Sequence, residues 1–471
     1  MPKSTASIGS ACLLLLAGGT VVVWLWVCWC RFPASAWNDI RLAPAFMLRF
    51  GPTPYPSLAE GPVTTWIYGP VPLLLNLPAT LAPTAALALL IAGAINIALA
   101  VGPAALVLAV GPGARATTTP ADRAWALLLT LALWPSNSLL YFQADNAALA
   151  FGLFANVLLL QPRTAAAKPP VLAAICTALA VWSKQTSLGL VLAQLIWLAS
   201  TAGPRAAARY ALACAASGLA LGAAFIAWFG FDALWLNLVR LPARLPFWPD
   251  SFERIRGLWP HLTGYLVLPA IVVVVSRSAV WRRDSPWLLP VLAWLCLLPT
   301  SMVSILKIGG TANSLNGFLY LLPTGALFVA SSLRIRLTAI APALLGAGVA
   351  AIVAGQLFST PHLQLRPVTA HLRQADYLAR QFPGQIYFPW NPLVTFFSER
   401  RFYHTEDGLY VRYTAQLAPT RAAAWRNFPP RWCVTAMQDD GWGIILQLQP
   451  PIATRVRFGA WTLWSWPLPS P

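Results

Sequence analysis

The stretch SACLLLLAGGTVVVWLWVCWC, residues 10 to 30, carries no charge, and apolar runs of this kind return along the chain. A run of about 20 such residues can cross a bilayer as a helix. No water reaches the backbone there, so the run must satisfy its own amides and can only be helical. The chain has 471 residues, 58% hydrophobic and 10% charged, with a mean hydropathy of +0.63. That leaves too few polar side chains to coat a soluble domain of this size. A polytopic membrane protein is expected. The PASA that follows the first run imitates a signal-peptide cleavage site, but the run is longer than a signal core and is read as a retained anchor.

Further segments start near residues 84, 124, 146, 170, 187, 211, 262, 287, 314 and 338, giving about eleven transmembrane helices with the first near residue 9. The 32 Lys and Arg against 14 Asp and Glu give a formal charge of +18. These cations fall in short clusters between apolar runs, which is topogenic and not the stripe of a nucleic-acid binder. Arg115 and Arg123, Arg163 and Lys168, Arg205 and Arg209, Arg277, Arg282 and Arg283, and Arg334 and Arg336 occupy alternate short loops on the side of Lys3. The positive-inside rule makes that side cytoplasmic. An odd number of crossings puts the C-terminal tail outside, and the membrane is expected to be a bacterial plasma membrane. The seven cysteines suggest neither a disulfide framework nor a metal site.

The outer side collects the unusual polar groups. It receives the first loop from Arg31 to Pro83, the turn with Asp145, the turns with Lys184 and Lys307, and the loop WLNLVRLPARLPFWPDSFERIRGLWPHL. IRLAPAFMLRF and YGPVPLLLNLPATL are expected to be interfacial helices. Trp24, Trp26 and Trp29 are expected to form an aromatic belt. Residues 358–471 read as an extracytoplasmic α+β domain beside a helical membrane domain, 1–357. AHLRQADYLARQF has a helical pattern, while QIYFPW, WCVTAM, IILQLQ, TRVRF and AWTLWSW are strand-like. The TEDGLYVR and QDDGW segments read as turns, and His261 as an interfacial histidine.

Asp39 in AWNDIRLAPAFMLRFG, the Tyr68-Gly-Pro turn in WIYGPVPLL, Asp145 in FQADNAALAF, Lys184 in AVWSKQTSLGLVL and the later KIGGTANSLNGFLYLLP occur in an order that resembles the GT-C glycosyltransferases. These polytopic enzymes use polyprenyl-phosphate sugars and include protein O-mannosyltransferases and lipid A aminoarabinose transferases. The resemblance implies a GT-C-like all-α membrane fold, a polyprenyl-phosphate sugar donor drawn from the membrane lipid, no cofactor, and inverting transfer to a glycan, lipid or protein acceptor. It casts Asp39 as general base and Asp145 or Glu60 as a second acid. Tyr68, Lys184, Arg240, Arg244, Lys307 and Asn313 become candidate substrate ligands, with Gly309 and Gly310 letting backbone amides approach an anion. Two departures stand out. The Lys-Pro-Pro of the aminoarabinose transferases is absent from the first loop, and no Asp-x-Asp pair is present, which disfavours a metal-dependent mechanism.

The chemistry is compatible with so few groups. A sugar joined through C1 to a phosphate has a good leaving group, so the protein must deprotonate a hydroxyl and stabilise charge on the phosphate. Plainer roles exist for each residue. Asp39 suits an N-cap, Asp145 a turn, Lys184 a snorkelling position, Gly309–Gly310 a simple turn, and Arg240 and Arg244 lipid-surface anchors. A transporter or lipid flippase is the alternative from another class, and would place charges at mid-membrane. An O-antigen polymerase or ligase-like enzyme would rely on the outer-loop arginines.

Overall fold

The computed structural model describes residues 3–64, 66–110, 118–161, 170–259, 287–338, 340–359, 364–419, 425–438 and 454–465. The expected crossing near 262, His261, Asp439, Asp440, the IILQLQ strand and the arginine and lysine clusters at 115, 163–168 and 277–283 lie outside them.

Helices α1 (Lys3–Arg31), α2 (Ala36–Phe50) and α3 (Val71–Leu75) carry the chain into and through the first long loop. The membrane body continues with α4 (Ala85–Val110), α5 (Pro120–Ala132), α6 (Ser136–Leu140), α7 (Ala144–Leu160), α8 (Val171–Ser183), α9 (Leu188–Ala202) and α10 (Pro204–Phe229). After the short α11 (Phe231–Trp235), a π-helical turn Leu236–Arg240 and α12 (Leu241–Arg244), the chain returns through α13 (Leu288–Leu306), α14 (Leu322–Arg336) and α15 (Ala341–Phe358).

Among the described residues six helices are long and apolar enough to cross a membrane, and the bent pair Ala312–Tyr320 and Leu322–Arg336, at 53°, makes a seventh if it is one span. Helices α7 and α8 are apolar but shorter. The segment expected near 124 is a helix of 13 residues. Pro135 follows it closely, and the residue before a proline is driven out of the helical region. Both pieces of the first loop expected to be helical are so, as α2 and as α3 with the 3-10 turn Leu77–Leu81.

Helix α7 packs on α4 and α8, α8 on α10, α9 on α10 and α13, α5 on α14, and α1 on α15. Small residues permit this closeness, since close helix packing is what replaces the hydrophobic effect in lipid. At Gly152 of α7 an added Cβ would lie 2.0 Å from the Tyr320 hydroxyl. Trp24 is fully buried in the main core, so it is not part of a surface belt. Far along the bundle, Arg334 at the end of α14 pairs with the buried Asp122 at 2.9 Å. Asp122 also completes a capping box with Thr119 at the start of α5.

The tail holds α16 (Ala370–Gln381), α17 (Pro392–Glu399) and α18 (Glu406–Thr414). Its four-stranded sheet contains β1 (Ile386–Tyr387), β2 (Val434–Met437), β3 (Thr454–Phe458) and β4 (Trp461–Ser465), in the order β1-β2-β4-β3. Strands β1 and β2 run parallel and the other pairs antiparallel. TEDGLYVR is not a turn: Thr405 caps α18 by accepting from the Gly408 amide, and Glu406 and Asp407 form its buried first turn. One apolar cluster unites Phe46, Trp66 and Leu73 of the first loop with Leu372, Phe396 and Trp461 of the tail. The tail therefore sits directly on the first long loop.

The Tyr68-Gly69-Pro70 turn is wedged against the end of α8. An added Cβ at Gly69 would lie 1.6 Å from the Trp182 carbonyl oxygen. Backbone cannot yield as a side chain can, so Gly69→Ala is expected to displace this loop and cost about 1–3 kcal/mol, the usual penalty of overpacking. A lower thermal midpoint in detergent would record it.

Candidate active site

Four asparagines fix the turn that precedes Asp145. Asn38 of α2 donates to the Phe32 and Leu140 carbonyls at 2.7 and 2.8 Å and accepts from the Phe142 amide at 2.6 Å. Asn146 donates to Asn96 Oδ1 and to the Ser138 carbonyl, both at 2.6 Å. Asn96 donates to the Ser138 and Leu139 carbonyls, and Asn316 to Ser138 Oγ at 2.9 Å. Buried backbone carbonyls need donors, and here they draw the start of α7 to one place.

Asp145 stands in that first turn of α7. Its Oδ1 lies 2.5 Å from Lys184 Nζ, and its Oδ2 accepts from Asn313 Nδ2 at 3.1 Å. Both charged side chains are under 10% exposed. Lys184 Nζ also lies 5.8 Å from the Tyr68 ring centre, and the Arg41 guanidinium lies 5.5 Å from that same ring. Two cations therefore share one phenol, an arrangement favoured by the negative face of the ring. Arg41 Nη1 donates to Tyr68 Oη at 3.5 Å, at the limit of a hydrogen bond. Burial lowers the Arg41 guanidinium, but Tyr68, Asp407 and Asp145 around it prevail and hold it above its ordinary value. Tyr68 is held in turn, its carbonyl accepting from the Tyr55 hydroxyl at 2.9 Å.

A cavity of about 40 Å³ opens beside the pair, lined by Asp145, Lys184, Thr186, Ser187, Ser301, Asn316 and Tyr320. Ala148, Leu149 and Leu297 complete the lining, and the space is that of a few water molecules beside the hydroxyls. Gln185 secures the rim by donating to the Ile67 and Leu238 carbonyls at 2.9 and 3.0 Å, which joins the first loop to the π-helical turn. Arg412 of the tail strengthens this junction from above. It is 1% exposed and donates to the Pro56 carbonyl at 2.9 Å and to Asn237 Oδ1 at 3.0 Å. Burial pulls its guanidinium down to about 10.

No family model and no curated protein matches the sequence. Solved structures do match. The crystal structure of ArnT from Cupriavidus metallidurans bound to undecaprenyl phosphate aligns with a TM-score of 0.59 at 10% identity, and its apo state with 0.56 at 13%. Each alignment covers 97% of this chain and 98% of the other. The chain shares the fold of these ArnT structures.

Of the nine candidate residues, Asp145, Lys184, Tyr68 and Asn313 come together. The other candidates lie apart from them. Asp39 is fully buried, and both hydrogen bonds of its carboxylate go to the tail: from the Leu393 amide at 2.9 Å and from Asn391 Nδ2 at 3.4 Å. It thus caps α17 across space, its own helix having begun earlier at Ala36. Lys307 donates to the Pro242 and Ala243 carbonyls. Gly309 adopts φ +87°, and an added Cβ at Gly310 would meet the Ser304 carbonyl, so this pair serves a tight turn. Arg240 and Arg244 are exposed around α12, and Glu60 is exposed and accepts from the Ser57 amide. Arg41, Gln185 and Arg412 escaped the sequence analysis. Only Arg41 left a signal, as a cation two residues after Asp39 and followed by the apolar run LAPAFML.

Burial raises the Asp39 carboxyl from 3.8 to about 7, against the lowering effect of Leu393 and Asn391. A carboxyl raised on folding contributes stability that is complete below its unfolded value and is lost as pH rises through about 7. Asp39→Asn keeps an acceptor for the Leu393 amide and removes the ionisation. The variant is therefore expected to stay stable where the parent weakens, and thermal midpoints measured from pH 5 to pH 8 would show the two curves diverge upward.

Proposed function

We propose that this protein is an integral-membrane glycosyltransferase that moves a sugar from a polyprenyl phosphate to an extracytoplasmic hydroxyl acceptor. The observation that carries the proposal is the buried Asp145–Lys184 pair, with Arg41 and Tyr68 against it, at a hydroxyl-lined cavity. The GT-C fold agrees with it, as does the undecaprenyl phosphate bound by one ArnT structure. The site opens on the outer face of a bacterial plasma membrane in this proposal, by the distribution of arginines.

The chemistry is a single displacement with inversion at C1. The acceptor oxygen forms a bond to C1 of the sugar while the bond from C1 to the phosphate oxygen breaks. Polyprenyl phosphate leaves with the bonding pair, and the acceptor proton passes to a carboxylate. Lys184 and Arg41 supply positive charge where the phosphate gains negative charge, in surroundings of low dielectric that strengthen the effect. Asp145 takes the proton, because it lines the cavity whereas the Asp39 carboxylate is enclosed. Asp145 holds Lys184. An incoming phosphate competes for the ammonium and frees Oδ1 to act as base, while Asn313 keeps Oδ2 in place. Asp39 positions α2, and hence Arg41, by anchoring the start of α17.

The test is transfer from labelled undecaprenyl-phosphate sugars in membranes carrying the protein. Arg41→Ala is expected to lower transfer by about 100-fold, the scale for a group that stabilises developing charge. Asp39→Asn is expected to stay within about tenfold of the parent, since a positioning group contributes less than a proton acceptor. A silent Asp39→Asn beside an active Asp145→Asn would reverse the two roles, and no transfer or binding with any polyprenyl phosphate would end the proposal.

A further inference from the structure

We infer that Trp37 and Trp390 form an acceptor subsite for a pyranose ring, so that the acceptor is a glycan or a molecule carrying one. The inference deepens the transfer proposal above and rests on it for the word acceptor. Trp37 is 39% exposed although the next three residues of α2, Asn38, Asp39 and Ile40, are fully buried. Its ring meets that of the half-buried Trp390 with centroids 5.3 Å apart and planes at 66°. One indole comes from the first outer loop and the other from the tail. The two rings meet at an open angle, and Trp37 remains accessible to solvent.

This pair adjoins the charged centre. The Arg41 guanidinium lies 5.4 Å from the Trp37 ring and 5.5 Å from the Tyr68 ring, so Trp37, Arg41, Tyr68 and Lys184 form a continuous series ending at Asp145. A molecule seated on the indoles has its hydroxyls directed along that series. Pyranose rings present faces of polarised C–H groups, which the negative face of an indole attracts, while their hydroxyls seek acceptors. The junction beneath the pair is tied together: Asn391, next to Trp390, donates to Asp39 Oδ2 at 3.4 Å, and Asp39 lies two residues after Trp37. A tryptophan in an outer loop can also serve as a membrane anchor. Trp235, 51% exposed on α11, provides the control for that role.

The full chain in lipid nanodiscs would be examined by saturation-transfer NMR with maltose and cellobiose as probes. Saturation of the sugar C–H signals is expected in the parent and in Trp235→Ala. It should fall by about fivefold in the double variant Trp37→Ala, Trp390→Ala, in keeping with the strength of aromatic contacts. Trp37→Phe retains a ring and should recover most of the signal, which separates loss of the platform from misfolding. Absence of signal in the parent, an undiminished signal in the double variant, or an equal loss in Trp235→Ala would each overturn the subsite, the last marking an interface anchor only. Binding of undecaprenyl phosphate to the same nanodiscs is read separately. Its failure would count against the transfer proposal, while the disaccharide signal would still judge the two indoles.

Discussion

Asp145→Asn is expected to lower sugar transfer by about 1000-fold, within the range for loss of a positioned proton acceptor. The amide keeps an oxygen for Lys184 and has the same shape. It cannot accept a proton from the acceptor hydroxyl at neutral pH. The same substitution should tighten the binding of undecaprenyl phosphate by about three- to tenfold, because a carboxylate that competes for Lys184 and repels the phosphate has become neutral. Opposite movements of catalysis and affinity are the signature of an acid that both holds the cation and takes the proton. If affinity falls along with transfer, Asp145 serves only to orient Lys184. Affinity can be followed by tryptophan fluorescence in nanodiscs and transfer by release of label from the lipid.

Lys184→Met is expected to produce the largest loss of stability. The lysine and aspartate side chains are 8% and 9% exposed, so removing the cation leaves a carboxylate out of water without its counter-charge. Breaking a buried pair in this way costs about 3–5 kcal/mol, more than the intact pair contributes relative to an apolar replacement. Adding Asp145→Asn to Lys184→Met should therefore recover most of the lost stability, since a neutral amide tolerates the site. It should not recover transfer, because the phosphate has lost its nearest cation. Thermal midpoints of the two single variants and the double variant form a cycle that isolates the coupling. Additive midpoints, with no recovery in the double variant, would mean that the ion pair is of little consequence.

Asp145 and Lys184 were each conspicuous in the sequence, though not as a pair, because ionisable residues are scarce in apolar surroundings. Asp145 and Lys184 stood out in FQADNAALAF and AVWSKQTSLGL for that reason, and Asn313 and Tyr68 were carried by the motifs around them. Asp39 stood out equally, but the sequence could not reveal that its carboxylate points to the amide of Leu393, more than three hundred positions away. Lys307 likewise has the composition of a phosphate ligand and is engaged with the backbone of α12. Gln185 and Arg412 were hidden among residues with ordinary local patterns, and Arg41 differed from them only by its place two residues after Asp39. TEDGLYVR has turn-forming residues at its start, yet Thr405 converts them into the capped first turn of α18.

Apolar runs, their length and the placement of arginines between them determined by themselves that this chain is a multi-pass helical membrane protein with a mixed α+β tail. These are local properties, fixed by the cost of exposing backbone to lipid and by the periods of helix and strand. Which acid faces which cation was decided only by tertiary packing. A side chain on one helix finds its counter-charge through the close approach of α7 to α8, of the Tyr68 loop to Trp182 and of the tail to α2, and no periodicity within a single segment encodes those distances.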